Sequence, residues 1–370
     1  MRSRRAKAGR GSISTAQLSC PSADSPTSVS CGVTASTGVI ELPLLPPALF
    51  LTGGEVRRLL DMVACLAAVE RAFGDVTAGR PIPSAMLGLS ADEGSFHVKA
   101  AVMARQPGAA RGYVAVKVNA NFPGNPNRHQ LPTIQGMLLL FDAGTGAPLA
   151  VMDSSAITIR RTAAATAVAA RHLALADART VTVVGCGAQA LAQLEALRLV
   201  RPIEQVFAVD IDPAAAESFA RHAGATLGID VRAERELERA TRRSEIVITC
   251  TTSRQAFLGR GHVKAGAFVA AVGADNEHKQ EIEPALMAAA IVVTDSTAQC
   301  AAIGDLHHAI EAGLMTADDV RAELGSIVAE PARGRRNEAE VIVYDSTGVA
   351  FQDVAAAAVV YERAMRERTG

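Results

Sequence analysis

Short apolar runs alternate with helical or loop segments from Thr180 onward. The runs are rich in β-branched residues, and in order they read TVTVVG, QVFAVD, EIVITCT, AFVAAVG and AIVVTDS. The helix after the second run is predicted to begin at the N-cap Asp212 and to end at Gly224. Apolar strands that alternate with helices are typical of a parallel sheet covered on both faces. Residues 156–329 are therefore predicted to form a doubly wound α/β domain.

Residues 39–155 carry a different pattern. TGGEVRRLLDMVACLAAVERAFG predicts one or two amphipathic helices, and GSFHVKAAVM, GYVAVKVNA and TIQGMLLLFDA predict strands. In YVAVKV the valines alternate with Tyr113, Ala115 and Lys117, so the two sets are predicted to face opposite sides of a sheet. Residues 330–370 read as a strand, a tight turn and a long helix. We predict that this last segment packs against residues 39–155 and completes a second, α+β domain.

The first 38 residues differ from the rest of the chain. Residues 1–38 are basic at first and then rich in Ser, Thr and Pro, without the apolar stretch of a signal peptide. They are predicted to be a disordered tail or an extension upstream of the true start, with a transit peptide as the alternative.

Composition narrows the class of protein. The length of 370 residues, 49% of them hydrophobic, favours two domains, and the net charge of -1 leaves no basic excess for nucleic acid or a membrane surface. No apolar run approaches the roughly 18 residues that span a bilayer. The six cysteines form no CxxC pair and the eight histidines no HExxH pattern, so we expect reduced thiols in a cytoplasmic protein and no metal site.

A glycine-rich turn joins the first apolar run to its helix, in VTVVGCGAQALAQLEAL. Gly185 and Gly187 let a pyrophosphate approach the backbone, and the helix N-terminus offers free N–H groups. Asp210 ends the next strand, 25 residues after Gly185, where a carboxylate accepts hydrogen bonds from ribose hydroxyls. No Arg follows it directly to bind a 2′-phosphate. The pattern predicts a Rossmann-type domain that binds NAD in preference to NADP; the alternative is a tight turn beside an acidic helix cap. The predicted cofactor-binding residues are Gly185, Gly187, Ala188, Gln189, Asp210, Thr251 and Val272.

Five stretches together resemble the ornithine cyclodeaminase/mu-crystallin family. They are VKVNANFPGNP, LAVMDSSAITIRRTAAATAVAARHLA, VVGCGAQA, AVGADNEHKQEI and VIVYDSTGVAFQDVAAA, and the resemblance runs from about Leu51 to Tyr361. It implies a small amino-acid or imino-acid substrate and a homodimer formed through the N-terminal domain. Residues 39–155 with 330–370 would then be the substrate-binding and dimerisation domain, and residues 156–329 the NAD-binding domain.

The resemblance also implies roles for individual residues. Lys117 in VKVN and Arg161 before TAAA correspond to ligands of the substrate carboxylate, and Thr133 to a pocket threonine. A guanidinium holds a carboxylate with two N–H bonds, while an ammonium adds a point charge. Asp275 corresponds to the aspartate that assists proton transfer and engages the distal amine in ornithine cyclodeaminases. Asp275, Lys117 and Arg161 are the predicted catalytic residues. The residues alone favour a Lys117 that points into solvent and an Arg161 that caps a helix, and the resemblance reverses this interpretation.

The chain departs from the family pattern at two positions. Ser84 in RPIPSAM stands where the family commonly has an Arg that binds carboxylate. His97 in GSFHVKAA stands where cyclodeaminases have a Glu. Lys99 lies two residues after His97 on the same strand face. It can replace the positive charge of the family Arg that is missing at Ser84. His97 and Lys99 are therefore added to the predicted substrate-binding residues.

The resemblance implies an ornithine cyclodeaminase, which converts L-ornithine to L-proline and ammonia while NAD+ is reduced and reoxidised in one cycle. One alternative uses the same site for a single hydride transfer. It is an NAD(P)-dependent amino-acid dehydrogenase or a reductase of a pyrroline or piperideine carboxylate. A further alternative is a non-enzymatic binding protein of the mu-crystallin type, against which the presence of Asp275 counts.

Overall fold

The computed structural model describes residues 47–77, 84–105 and 108–369. The segment predicted as a tail, residues 1–38, lies outside the described residues. Among the described residues, no helix combines the length and the apolar character that a membrane span requires.

The N-terminal half builds a six-stranded sheet. Its strands are β1 (Leu49–Leu51), β2 (Ser84–Ala91), β3 (Gly94–Met103), β4 (Tyr113–Asn121), β5 (Ile134–Asp142) and β6 (Pro148–Asp153). They lie in the order β1-β6-β5-β4-β3-β2, with β1 parallel to β6 and every other neighbouring pair antiparallel. On β4, Tyr113, Ala115 and Lys117 are buried and the alternating valines are partly exposed, as the alternation predicts. The buried face is therefore the one that carries Lys117.

The second half builds an eight-stranded sheet. Its strands are β7 (Thr180–Val184), β8 (Gln205–Val209), β9 (Asp230–Ala233), β10 (Ile246–Thr249), β11 (Phe268–Ala271), β12 (Ile291–Thr294), β13 (Ala322–Glu323) and β14 (Ile342–Asp345). Their order is β13-β12-β14-β11-β10-β7-β8-β9, and every pairing is parallel. Strands β7, β10 and β11 are almost entirely buried, because a parallel sheet is covered on both faces. The α/β fold class predicted from the sequence is confirmed.

Twelve α-helices connect and cover the sheets within the described residues. They are α1 (Gly53–Leu59), α2 (Met62–Thr77), α3 (Asn125–His129), α4 (Ser154–Leu173), α5 (Ala190–Leu197), α6 (Pro213–Leu227), α7 (Leu237–Thr241), α8 (Pro284–Ala289), α9 (Thr297–Ile303), α10 (Asp305–Glu311), α11 (Leu324–Ala329) and α12 (Ala350–Thr369). Helix α6 begins after Asp212, whose side chain accepts a hydrogen bond from the backbone of Ala214, as predicted. Its predicted end at Gly224 is wrong: the helix continues to Leu227, and Gly228 adopts the left-handed conformation that ends it.

The C-terminal segment is divided between the two sheets. The sequence pattern predicts that all of residues 330–370 belong to the domain of the six-stranded sheet. Strand β14 instead pairs with β11 and β12 inside the eight-stranded sheet. Helix α12 packs against α2, β3 and β4, which is the placement expected for the whole segment. The turn between β14 and α12 therefore lies where the two sheets meet.

Helix α4 is the other element at this junction. It packs against α2 on one side and α5 on the other. The run from Ala163 to Ala170 is buried, because its small side chains let neighbouring helices approach closely. Alanine-rich α4 and α12 thus hold the two sheets in one continuous core. This packing fixes the side chains of Arg161 on α4 and Asp353 on α12 relative to the six-stranded sheet.

Candidate active site

Two adjoining cavities open at the carboxyl ends of the parallel strands, the edge where ligands bind in such sheets. The first, which we call the glycine-loop cleft, is lined by Gly185, Gly187 and Asp210. The second, which we call the cation pocket, is lined by Lys99 and Lys117 among others. Cys250, Thr251 and Thr252, which follow β10, line both. The two cavities therefore share a wall, and ligands bound in them would contact each other.

The turn after β7 is shaped for close approach by a ligand. Gly185 has a φ of 95°, and a Cβ there would lie 2.9 Å from Cγ2 of Thr251, so no other residue fits without displacement. Open space surrounds the position where a Cβ of Gly187 would stand. The carboxylate of Asp210 accepts a hydrogen bond of 2.7 Å from the N–H of Cys186 and one of 3.0 Å from Asp212. Asp210 thus fastens the turn to the end of β8.

The same turn offers groups that need a partner. In the described part of the chain, the backbone N–H groups of Gly187, Ala188 and Gln189 donate to no protein acceptor. They lie at the N-terminus of α5, where N–H groups favour an anion. The side-chain Oε1 of Gln189 is buried without a hydrogen-bond partner. The free N–H groups fit a pyrophosphate laid beside Gly187, and the predicted residues Gly185, Gly187, Gln189 and Asp210 lie around it. The Gln189 Oε1 atom accepts only, so its partner would have to be a donor such as a hydroxyl or an amide. Ala188 is exposed and lines neither cavity.

Two lysines on neighbouring antiparallel strands form the floor of the cation pocket. Lys99 on β3 is in register with Lys117 on β4, and His97 with Asn119. All four side chains line the pocket. Like charges directly opposite each other on a sheet are destabilising. Their presence therefore indicates a site built to receive a negative charge.

Asp353 on α12 compensates part of this charge. Its carboxylate lies 2.8 Å from Nζ of Lys117 and accepts a hydrogen bond of 2.9 Å from Nε of Arg161. Arg161 also donates to Gln352, and Lys117 to the hydroxyl of Thr158. The side chains of Lys117, Arg161 and Asp353 are all at least nine-tenths buried. No role is predicted for Asp353 from the sequence.

Burial and mutual repulsion alter the protonation of these cations. Burial lowers the pKa of Lys117 to about 7, with Arg161 and Lys99 acting in the same direction and Asp353 opposing them. Burial also lowers the pKa of Lys99. Burial opposes ionisation of Asp353, but Lys117 and Arg161 outweigh it and hold the pKa of Asp353 below its ordinary value. Asp353 is therefore a fixed anion beside cations whose charge is costly without a further anion.

The turn after β14 positions Lys99. Its ammonium donates to the carbonyl oxygens of Thr347 at 3.1 Å and Gly348 at 2.7 Å. Gly348 has a φ of 76°, and a Cβ there would lie 2.5 Å from the guanidinium of Arg161. The buried carboxylate of Asp295 holds the turn by accepting the N–H of Gly348 at 2.7 Å. Asp295 and this turn were also missed by the sequence analysis.

Asp275 lies at the mouth of the cation pocket, after β11, where its strand places it. Its side chain is 51% exposed and forms an ion pair of 2.7 Å with Lys279. Partial desolvation acts to raise its pKa, but Lys279 outweighs this and holds the pKa of Asp275 below its ordinary value. Val272 and Thr251 line the wall between Asp275 and the glycine-loop cleft. Asp275 is therefore ionised and already paired.

Other predicted residues lie differently. His97 lines the pocket, and its Nε2 lies 3.1 Å from the hydroxyl of Ser95. Thr133 does not line it: its carbonyl accepts the N–H of Phe122, and the following residue, Ile134, lines the pocket instead. Ser84 is exposed at the start of β2 and also lies outside the pocket lining. The structure thus brings together Lys99, Lys117, Arg161, His97 and Asp275, but not Thr133.

A parallel sheet with a glycine turn near its centre, joined to a second sheet whose lysines line the adjoining cavity, is typical of dinucleotide-binding proteins. The cation pocket is where such a protein holds the second ligand.

This chain belongs to the ornithine cyclodeaminase/mu-crystallin family, whose model matches residues 48–368. It is similar to a solved archaeal alanine dehydrogenase dimer with bound NAD, at 35% identity and a TM-score of 0.81 over 87% of this chain and 98% of the other. It is also similar to the Δ1-pyrroline-2-carboxylate reductase of Thermococcus litoralis in complex with NADH and L-proline, at 30% identity and a TM-score of 0.81 over 86% and 98%. A lysine cyclodeaminase structure is 30% identical, with a TM-score of 0.76 over 88% and 94%. The family prediction is confirmed, and the structures with NAD or NADH confirm the predicted cofactor.

The position of Asp210 leads to a prediction about cofactor choice. We expect the wild-type protein to bind NADH at least about tenfold more tightly than NADPH, because a unit charge 4 Å from a carboxylate near the surface costs up to about 4 kcal/mol. The variant Asp210→Ser removes the charge but keeps an oxygen acceptor, so it should narrow this ratio. Fluorescence titration with both nucleotides measures it. Tighter binding of NADPH than NADH by the wild type would contradict the assignment.

Proposed function

We propose that this protein catalyses one hydride transfer between NAD(H) and an α-imino acid or the corresponding α-amino acid. The observation that supports this best is the charge balance of the cation pocket. Lys99, Lys117, Arg161 and Lys279 line it, and Asp275 is the only carboxylate among its described lining residues. A ligand with an α-carboxylate and no second ammonium matches this balance.

The acidic side chains near the pocket already form ion pairs with cations. Asp275 pairs with Lys279, and Asp353 pairs with Lys117 and Arg161. The ammonium of an ornithine side chain would have to displace one of these pairs or lie among cations. Moreover, His97 and Lys99 occupy the strand on which a cyclodeaminase is expected to carry a Glu. The local charge is therefore reversed from the one that a diamino acid requires.

The roles of the residues follow from their positions. When bound, NADH supplies the hydride that reduces the imine carbon, and one proton from solution balances the reaction to amino acid and NAD+. Lys117 and Arg161 hold the substrate carboxylate and so orient the carbon. Asp353 positions both cations. Asp275, ionised and half-exposed at the mouth beside Lys279, is the group best placed to accept a proton from the substrate nitrogen when the amino acid is oxidised.

Similarity to an alanine dehydrogenase and to a pyrroline-carboxylate reductase supports this reaction class. Ornithine cyclodeamination is kept as a second candidate for two reasons. The chain is similar to a lysine cyclodeaminase, and Asp275 lies at the pocket mouth as the resemblance implies. Both candidates use the same carboxylate ligands, and they differ in whether the substrate side chain carries an amine.

An assay separates the candidates. We expect NADH oxidation with Δ1-pyrroline-2-carboxylate or with pyruvate plus ammonia, and NADH formation when an amino acid and NAD+ are supplied. With L-ornithine and catalytic NAD+, we expect no stoichiometric release of ammonia and proline. Release of both without net NADH, combined with no imine reduction, would establish the second candidate instead. Nucleotide binding with neither reaction would favour a binding protein.

We also propose that the protein is a homodimer formed through the six-stranded sheet. Leu87, Leu89, Phe96 and Met137 are exposed on the face opposite Lys117. Contiguous exposed apolar side chains of this kind mark an interaction surface. The similar alanine dehydrogenase was solved as a dimer. A monomeric mass in light scattering at micromolar concentration would contradict the proposal.

A further inference from the structure

Three potential metal ligands converge on helix α10, outside the cation pocket and the glycine-loop cleft. His307, His308 and Glu311 each offer one ligand atom, and these atoms all lie within 4.8 Å of one another. The Oε2 of Glu311 lies 3.5 Å from Nε2 of His307 and 3.9 Å from Nδ1 of His308. Two imidazole nitrogens and one carboxylate oxygen form the donor set of many zinc sites.

The distances match the geometry of a small divalent ion. Ligand atoms about 2.0–2.1 Å from a tetrahedral metal lie about 3.3–3.4 Å from one another. The separations of 3.5 Å and 3.9 Å exceed this edge by only a few tenths of an ångström. The Glu311 side chain is 65% exposed and can move by that amount without disturbing the core. The ligand nitrogens of His307 and His308 lie within 4.8 Å of each other. An ion fits between the three atoms once these side chains close around it.

In each imidazole, the nitrogen that does not face Glu311 is hydrogen-bonded to a backbone carbonyl. This hydrogen bond determines which nitrogen is free to bind a metal. Nδ1 of His307 lies 3.2 Å from the carbonyl oxygen of Ala301, and Nε2 of His308 lies 2.9 Å from that of Lys279. A carbonyl oxygen only accepts, so these two nitrogens carry the protons. In the neutral rings, the lone pairs of the remaining nitrogens then face the Glu311 carboxylate. Backbone carbonyls orient metal-binding histidines in the same way in zinc proteins.

Three converging lone pairs are unfavourable unless a cation or a proton lies between them. We propose that His307, His308 and Glu311 bind a divalent transition-metal ion of the Zn²⁺ class, with water completing the coordination. Two imidazoles and a carboxylate suit Zn²⁺ better than Mg²⁺ or Ca²⁺, which prefer oxygen ligands throughout. The sequence analysis predicted no metal site, because the spacing in HHAIE matches no standard zinc motif.

The site adjoins a segment of the cation pocket. Through His308, helix α10 holds the carbonyl of Lys279, whose ammonium pairs with Asp275. Metal binding would fix His308 and with it this backbone contact. The proposed ion therefore has a structural role. His308 links it to Lys279, whose side chain lines the mouth of the cation pocket.

Calorimetric titration with ZnCl₂ of the full-length protein, first treated with a chelator, tests the proposal. We expect the wild type to bind one more equivalent of Zn²⁺ than the variant His307→Gln/His308→Gln. Loss of one ligand in Glu311→Gln should weaken this site by at least about tenfold, since loss of even an outer partner costs 10- to 100-fold. Zn²⁺ should also raise the Tm of the wild type more than that of either variant.

Two controls make the result specific. His222→Gln removes an exposed histidine on α6 and should leave the titration unchanged. Cysteines elsewhere in the chain can also bind Zn²⁺, and they are retained in every variant, so only the difference in stoichiometry is scored. Glu311→Gln alters an exposed side chain and should fold and bind NADH normally. Identical Zn²⁺ stoichiometry and affinity in the wild type, Glu311→Gln and the double histidine variant would overturn the proposal. A wild-type protein that binds no Zn²⁺ at pH 7.5 would also overturn it.

Discussion

Replacing Asp353 by Asn is expected to lower the free energy of unfolding by about 3–5 kcal/mol, the range for removing one partner of a buried ion pair. The carboxylate contacts both Lys117 and Arg161, and all three side chains are nearly inaccessible to water. Asn is close in size, so packing is retained while the charge is lost. Two buried cations would then remain without their common anion. Urea unfolding followed by circular dichroism measures the change.

Two further variants identify the cause of this loss. Glu367→Gln removes an exposed carboxylate that pairs with Arg58, and the unfolding transition should stay nearly unchanged. Lys117→Met/Asp353→Asn removes one of the two stranded cations and should be more stable than Asp353→Asn alone. If Asp353→Asn unfolded at the same urea concentration as the wild type, the buried charge balance described above would be incorrect.

The parallel sheet could be predicted because its signals are local. Strands β7, β8, β10, β11 and β12 are short apolar runs, because a strand buried on both faces must be apolar throughout. Strand β9 lies at the sheet edge, is polar and mostly exposed, and therefore carries no such signal. The turn at Gly185 and the acid at Asp210 follow from the same segment, since one βαβ unit brings them together.

Asp353 could not be predicted in the same way. Its partner Arg161 lies 192 residues earlier in the chain, on α4. Its other partner, Lys117, lies on strand β4 of the six-stranded sheet. The available signal was a Gln-Asp pair inside the otherwise apolar stretch AFQDVAAAAVV. A charged residue on a helix that is buried all round must be paired, but the sequence does not say with what. The partner is decided by the crossing of α12 over β3 and β4.

The placement of β14 shows a second limit. Its apolar run resembles those of the other parallel strands, yet it follows a break in their alternation with helices. The strand inserts between β11 and β12, so the spatial order differs from the chain order. Only this insertion brings the turn at Gly348 beside Arg161 and Lys99. Thr133 lies in the bend before β5, where its position is decided by the loop that precedes the strand.

Replacing Lys117 by Met is expected to reduce kcat/KM for the imino acid by roughly 30- to 5,000-fold. Truncating one member of a buried, hydrogen-bonded charge pair costs about 2–5 kcal/mol, and each 1.4 kcal/mol is a factor of ten. The ammonium lies in the cation pocket and contacts Asp353, so its loss affects both the substrate carboxylate and the orientation of Arg161. NADH affinity should not change, because Lys117 does not line the glycine-loop cleft.

The pH profile distinguishes this binding role from a structural one. The pKa of Lys117 is lowered to about 7, chiefly by burial, so the ammonium that attracts the carboxylate is present below this pH and is lost above it. For the wild type, kcat/KM should therefore fall as the pH rises through about 7. Lys117→Arg keeps a cation that does not titrate in this range. The ratio of wild-type to Lys117→Arg kcat/KM cancels ionisation of the substrate itself, and we expect this ratio to decline above pH 7. A ratio that stays constant from pH 6 to pH 9 would show that the charge of Lys117 does not bind the substrate carboxylate.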